Sequence, residues 1–295
     1  MASQARVALF KTLSTVLERL PERVDVGLAR ALAVTVGRRA KGARQHLRTN
    51  VAHALATAGT TVEPALLERF VDRGFASYGQ YWAESAKLPA LSAKTITSRF
   101  IIAEGLEHLL TGRARGKGIV IALPHIGSWE WGGSFLASLD MPMTAVAEEL
   151  EPRELFEWFK AKRQAIGINI EPLDAHAGTV LLQTLRDGKV VGLLCDRDIQ
   201  DNGIMVDFFG ERVTIPAGPA TLALRTGATL VAAACYSGPG RDHFAVVTAP
   251  IETERTARLR DDVARVTQAI AGELEGLIRR APEQWHVLQP RFSES

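Results

Sequence analysis

The chain has 295 residues, 46% hydrophobic and 23% charged, which is ample material for a buried core and argues against wholesale disorder. Two cysteines, Cys195 and Cys235, make neither a disulfide framework nor a C-x-x-C pair. The net charge of +2 conceals an asymmetry: residues 1–50 hold ten Lys/Arg against three Asp/Glu, a charge of +7, leaving −5 on residues 51–295. A basic end on an acidic body suits a chain whose N-terminus meets an anionic partner. Nucleic acid is the weaker reading of that partner, because the basic region lacks interleaved aromatics and matches no recognition module.

Leu9, Leu13, Val16 and Leu20 recur at helical spacing, with Phe10 and Leu17 beside them, and Pro21 ends the run. Leu28, Leu32 and Val36 predict a second helix ending near Gly37. No uncharged apolar run approaches the roughly 18 residues that span a bilayer. Lys11, Glu18 and Arg19 interrupt the N-terminus before a secretion-signal core can form. Two amphipathic helices followed by Arg38, Arg39, Lys41 and Arg44 suit a place in the interface of an anionic membrane. The alternative is that their apolar faces pack on the body of the protein.

Further along, apolar spacing predicts helices over Pro64–Leu88 and Glu104–Leu110. Ile119–Leu123 is a compact β-branched run that reads as a buried strand. A helix over Trp129–Leu139, a strand over Thr144–Ala147, and helices from Pro152 to about Ile166 and over Thr179–Asp187 follow. Val190–Cys195 is a second buried-strand pattern. Then come a helix at Ala217–Arg225, strands at Thr229–Cys235 and Phe244–Thr248, and a closing helix over Thr256–Arg280. This alternation predicts an α/β fold, a mostly parallel central sheet flanked by helices. Residues 1–50 form a basic amphipathic helical extension and residues 51–295 one α/β domain.

The chemistry concentrates where strands end. The strand Ile119–Leu123 delivers Pro124 and His125 to the carboxyl edge of the sheet, where open α/β sheets place their sites. Gly127 permits a tight turn, Ser128 suits a helix N-cap, and Glu130 falls in the first helical turn. From there its carboxylate can point back at the imidazole, fixing the tautomer and offsetting the charge of a histidine that takes a proton. This predicts a general base, His125, with Glu130 as its partner, suited to activating a hydroxyl. No G-x-S-x-G elbow and no clustered metal-ligand set is present, so direct transfer without metal or cofactor is the simplest chemistry.

The strand followed by PHIGSWE resembles the H-x4-D/E motif of glycerolipid-type acyltransferases, and within them the bacterial lipid A biosynthesis acyltransferases. Two further blocks carry the resemblance: Cys195-Asp-Arg-Asp198 with Val206–Glu211 and Ile215–Ala228, and Ala281–His286 with Arg291-Phe292. Together they cover most of the chain from about Gly105 to Phe292. The D-R-D form, the FFGE after it and the basic N-terminus are most similar to the phosphatidylinositol mannoside acyltransferases of actinobacteria. That resemblance implies transfer of a long acyl chain from acyl-CoA to a mannose hydroxyl of a phosphatidylinositol mannoside. It also implies a peripheral protein at the cytoplasmic face of the plasma membrane. Glu130 stands where many members carry Asp, and the E-G-T-R phosphate block of the wider group is missing. Glu211, with Arg212 and the D-R-D, is expected to take over part of its role.

Given that chemistry, Asp196, Arg197 and Asp198 are expected at the same sheet edge as His125, binding sugar or headgroup, with a local ion-pair network as the alternative. Glu149 is expected to contact the mannose. Arg163, with Lys162, is expected to hold a CoA or lipid phosphate, against the alternative of a solvated helix face. His176 and His286 read as structural and Cys195 as inert. A different lipid acceptor, lipid A included, would use the same chemistry, and a non-catalytic membrane-binding scaffold is the competing class.

Overall fold

The computed structural model describes residues 2–56 and 62–292, the side chains of residues 2, 3, 5 and 6 excepted, so the Arg6 side chain lies outside it. Three helices open the chain: α1 (Ala2–Arg19), α2 (Asp25–Gly37) and α3 (Lys41–Leu55), and the domain boundary expected at residue 50 falls inside α3. They pack on the long α4 (Pro64–Lys87). Small residues permit the closest approach, since a Cβ on Gly79 would stand 2.4 Å from the Ala29 carbonyl oxygen and 2.7 Å from the Ala33 Cβ. Leu9, Leu13, Val16, Leu28, Leu32 and Val36 stay exposed, and all but Leu9 line an apolar cavity shared with α4. The faces toward α4 therefore pack on the body of the protein. No helix of the described residues is long and apolar enough to cross a membrane.

The body is a seven-stranded sheet in the order β1-β9-β8-β2-β5-β3-β4. Its strands are β1 (Phe100–Glu104), β2 (Ile119–Leu123), β3 (Met143–Ala147), β4 (Ile168–Pro172), β5 (Val190–Leu194), β8 (Thr229–Ser237) and β9 (His243–Val247). Neighbours pair in parallel except β8 with β9, so the expected mostly parallel α/β sheet is present. β2 lies at the centre with every residue buried, which explains its unbroken apolar run. Alternate residues feed two cores. Val120, Ala122, Val191, Leu230 and Ala232 pack toward α9 (Ala177–Arg186), α10 (Gly218–Thr226) and α11 (Leu259–Arg280). Ile119, Ile121, Leu123 and Val231 pack on the other face, with Trp129, Trp131 and Leu136 of α7 (Trp129–Ser138) and Phe156 of α8 (Arg153–Gln164).

Several features depart from the sequence expectation, the helices Lys41–Leu55 and Ala93–Arg99 among them. Phe100–Glu104 is an edge strand, and the helix expected from Glu104 begins only at Leu106, as α6 (Leu106–Ala114), after Gly105 at φ +82°. Ile168–Pro172 adds the opposite edge strand. Val206–Glu211 belongs to an antiparallel hairpin, β6 (Ile204–Phe208) and β7 (Glu211–Ile215), turned by Phe209 and Gly210 at positive φ and packed on α11.

Candidate active site

β2 and β5 run in parallel register with Leu123 opposite Leu194, so the residues two positions past each strand, His125 and Asp196, meet across the sheet edge. His125 Nδ1 and Asp196 Oδ1 are 2.5 Å apart. The other carboxylate oxygen, Oδ2, accepts from the His125 backbone N–H at 3.0 Å and from the Trp285 indole N–H at 2.7 Å. Asp196 is fully buried. Burial alone would raise its carboxyl, but the His125 imidazole and these donors outweigh burial and hold it at about 2, below the usual 3.8. His125 is partly exposed and lines a polar cavity, and its Nε2 has no protein hydrogen-bond partner among the described residues.

The loop that presents His125 is clamped by the C-terminal segment. His286 N–H donates to the His125 carbonyl at 2.7 Å, Gly127 N–H to the Gln284 carbonyl at 2.9 Å, and Ile126 forms a bridge with Trp285. Ser128 N–H is taken by the Cys235 carbonyl at 3.0 Å. Gly127, at φ +53°, is required here, because a Cβ would lie 2.0 Å from that same carbonyl oxygen.

The expected contact between Glu130 and His125 is corrected by this geometry: the carboxylate on the imidazole is that of Asp196. Glu130, the second residue of α7, turns toward α4 and α8 instead. It accepts from Arg163 Nε at 3.0 Å, from the Tyr81 hydroxyl at 3.4 Å and from the Ser85 hydroxyl, and it is 5% exposed. The Arg163 guanidinium lies 5.1 Å over the Trp129 ring and 5.7 Å over Phe159. Burial would lower its pKa, but Glu130 and Tyr81 raise it, so it stays charged. The Tyr81 phenol is pushed well up by burial and by the Glu130 charge.

Arg163 lies where two cavities meet. One, of about 650 Å³, is lined by His125, Trp129, Glu148, Arg163, Arg197, Asp198 and the apolar residues of β3, β5, α9 and α10. The other, of about 510 Å³, is almost wholly apolar, with Phe10, Leu13, Leu17, Leu28, Leu32, Tyr78, Trp82 and Phe159 in its walls and Glu130 among its few polar residues.

The remaining expected site residues divide. Arg197 and Asp198 line the polar cavity with His125, and Asp198 also accepts from Gly203 N–H at 2.7 Å. Glu149 is exposed and lines neither cavity, whereas its neighbour Glu148 lines the polar one. Glu211 is exposed on the β6–β7 hairpin, 3.8 Å from His53, and lines neither cavity. Lys162 pairs with Glu18 of α1. His286 is partly buried, with Nε2 2.9 Å from the Ser77 hydroxyl, and desolvation, with His125 nearby, pushes its imidazole down to about 3. Trp285, Tyr81 and Ser85 were not anticipated. Asp196 was expected at this edge for another purpose, and the signal for its contact was the equal offset of His125 and Asp196 from two buried strand ends.

A buried aspartate thus holds one ring nitrogen of a sheet-edge histidine that opens on a cavity. The chain belongs to the bacterial lipid A biosynthesis acyltransferase family, whose model matches residues 3–294. It is 35% identical over 255 residues to a phosphatidylinositol mannoside acyltransferase of Mycobacterium tuberculosis (strain CDC 1551 / Oshkosh), covering 85% of this chain and 78% of that protein. It is 33% identical over 277 residues to the protein of that name from Mycolicibacterium smegmatis, covering 92% and 86%. A lipid A biosynthesis acyltransferase of Haemophilus influenzae is 26% identical over 280 residues, covering 90% and 80%.

Proposed function

We propose that this acyltransferase moves a long acyl chain from acyl-CoA to a mannose hydroxyl of a phosphatidylinositol mannoside at an anionic membrane surface. The observation that carries the reading is the His125–Asp196 pair beside the polar cavity. With Nδ1 bound to Asp196, Nε2 takes the hydroxyl proton as the oxygen attacks the thioester carbon. The new C–O bond forms, the C–S bond breaks, and CoA thiolate recovers the proton from Nε2. The amides of His125, Gly127 and Ser128 are already bonded within the protein, and the Arg163 charge, which lines the same cavity as His125, offsets the oxyanion. Glu130 acts by holding Arg163 rather than by orienting the imidazole. The apolar cavity suits the acyl chain and the polar one the sugar, with Arg197 and Asp198 as its polar contacts.

The exposed apolar residues of α1 and α2, most of them also in the walls of the apolar cavity, serve as the membrane contact, on the cytoplasmic side where acyl-CoA is found. Arg38 and Arg44 pair with Asp72, and Arg44 and Arg48 with Glu68, while Arg39 and Lys41 are exposed with no acidic partner among the described residues. Arg39 and Lys41 therefore take the anionic headgroups. The decisive experiment supplies purified protein with labelled palmitoyl-CoA and, separately, a phosphatidylinositol mannoside and a lipid A precursor, and identifies products by mass spectrometry. Acylated mannoside, lost with His125→Ala, is expected. Acylation of the lipid A precursor alone would overturn the acceptor, and full activity of the variant would overturn the base.

A further inference from the structure

We propose that Trp285 is a positioning residue that fixes which way the Asp196 carboxylate faces, and so keeps the proton of His125 on Nδ1. A carboxylate is symmetric, and two of its near neighbours here are N–H donors: the Trp285 indole and the His125 amide, both on Oδ2. With Oδ2 occupied twice, Oδ1 is the oxygen left for the imidazole. The His125 amide is part of the loop being positioned, so Trp285 is the donor that ties the carboxylate to an independent frame.

That frame is rigid. Trp285 is fully buried, with ring centroids 5.7 Å from Phe209, 6.2 Å from Phe208 and 6.4 Å from Phe292. Its backbone bridges Ile126, and the residues on either side of it bond to Gly127 and His125. One segment thus holds both members of the pair, the loop through its backbone and the aspartate through its indole. The other charged or titratable groups around the pair are Arg197 and Asp198 after β5, Cys195 at the strand end, and His286 and Arg291 from the C-terminal segment. None of these has a side-chain hydrogen bond to Asp196 among the described residues.

The inference rests on the reading of His125 as the base, and the experiment separates the two. Trp285→Phe keeps an aromatic ring and deletes the N–H. The loss of one charge-assisted bond predicts a fall in kcat of about 10- to 100-fold with KM for acyl-CoA unchanged. In the Asp196→Ala background the same change should cost nothing further, because the acceptor of the indole N–H is gone. Proton NMR of the substrate-free protein should show a downfield His125 Nδ1–H resonance that broadens or shifts upfield in Trp285→Phe. An unchanged resonance, or full and independent losses in the double variant, would overturn the role of Trp285 whatever reaction the site performs. Full activity of His125→Ala would instead overturn the base reading while leaving the NMR result standing. If Trp285→Phe does not fold, Trp285→Met, which also lacks a donor, carries the same three measurements.

Discussion

Asp196→Asn is the substitution for which the geometry makes the sharpest statement. Oδ2 receives two N–H donors, from Trp285 at 2.7 Å and from His125 at 3.0 Å, so the amide oxygen of the new Asn must take that place. Its NH2 group then faces Nδ1, which becomes an acceptor and drives the ring proton onto Nε2. A histidine protonated at Nε2 cannot take the hydroxyl proton. Flipping the amide to rescue the tautomer would leave two donors facing NH2, at a cost of about 1–3 kcal/mol each. The carboxylate itself is held about 2 kcal/mol below its free value, from the drop of 3.8 to about 2, and that preference is largely its coupling to the imidazole and the donors. Losing the right tautomer and the negative charge together predicts a fall in kcat of about 10³- to 10⁴-fold, the scale known for the comparable Asp→Asn change in Ser-His-Asp enzymes. Thiol release from palmitoyl-CoA measures it, with thermal unfolding as the control, since both Oδ2 bonds survive. A kcat within threefold of the unsubstituted protein would refute the assignment of Asp196.

Gly127→Ala should destabilise the protein by more than about 2 kcal/mol, because the φ of +53° and a Cβ 2.0 Å from the Cys235 carbonyl oxygen leave no relaxed alternative; urea unfolding measures it. Glu84 is raised by burial to about 7 from 4.5, beside His243 and the cations Lys87, Arg99 and Arg241. A carboxyl raised in the folded state stabilises fully below pH 4.5 and loses that contribution as pH rises through 7. The Glu84 contribution, about 3 kcal/mol, should therefore fade over that window, and Glu84→Gln should flatten the pH dependence of the unfolding free energy. Reversing Arg39 and Lys41 to Glu should weaken binding to anionic vesicles about tenfold or more at low salt, with unfolding temperature unchanged. Reversing Arg38 and Arg44 should also destabilise the fold, since both are held by Asp72.

The strands that carry the site were legible because they are buried on both faces: Ile119–Leu123 and Val190–Leu194 are continuous apolar runs with turn signals after them. The edge strands were not. Phe100–Glu104 exposes Ile101 and ends in a glutamate, so its pattern merges with the helix that follows, and Ile168–Pro172 is short with only Ile168 and Ile170 buried. The hairpin at Ile204–Ile215 went unread for a related reason, because its turn uses Phe209, a residue that ordinarily avoids positive φ.

The pairing of His125 with Glu130 failed for a different reason, and the failure explains how this site is built. Five residues of separation made Glu130 the nearest carboxylate along the chain, but the distance that matters is the one across the sheet. The β2–β5 register brings Asp196, 71 residues away, to 2.5 Å, while the turn at Gly127 and the start of α7 carry Glu130 off toward Arg163. The motif His-x4-Glu therefore places two groups with separate work. His125 faces the polar cavity, and Glu130 holds the cation at the boundary with the apolar one. A sugar hydroxyl and an acyl chain approaching from different cavities would meet between these two side chains. On the proposed reaction, the five-residue spacing would separate the proton acceptor from the charge that receives the oxyanion, rather than bring an acid into contact with its base.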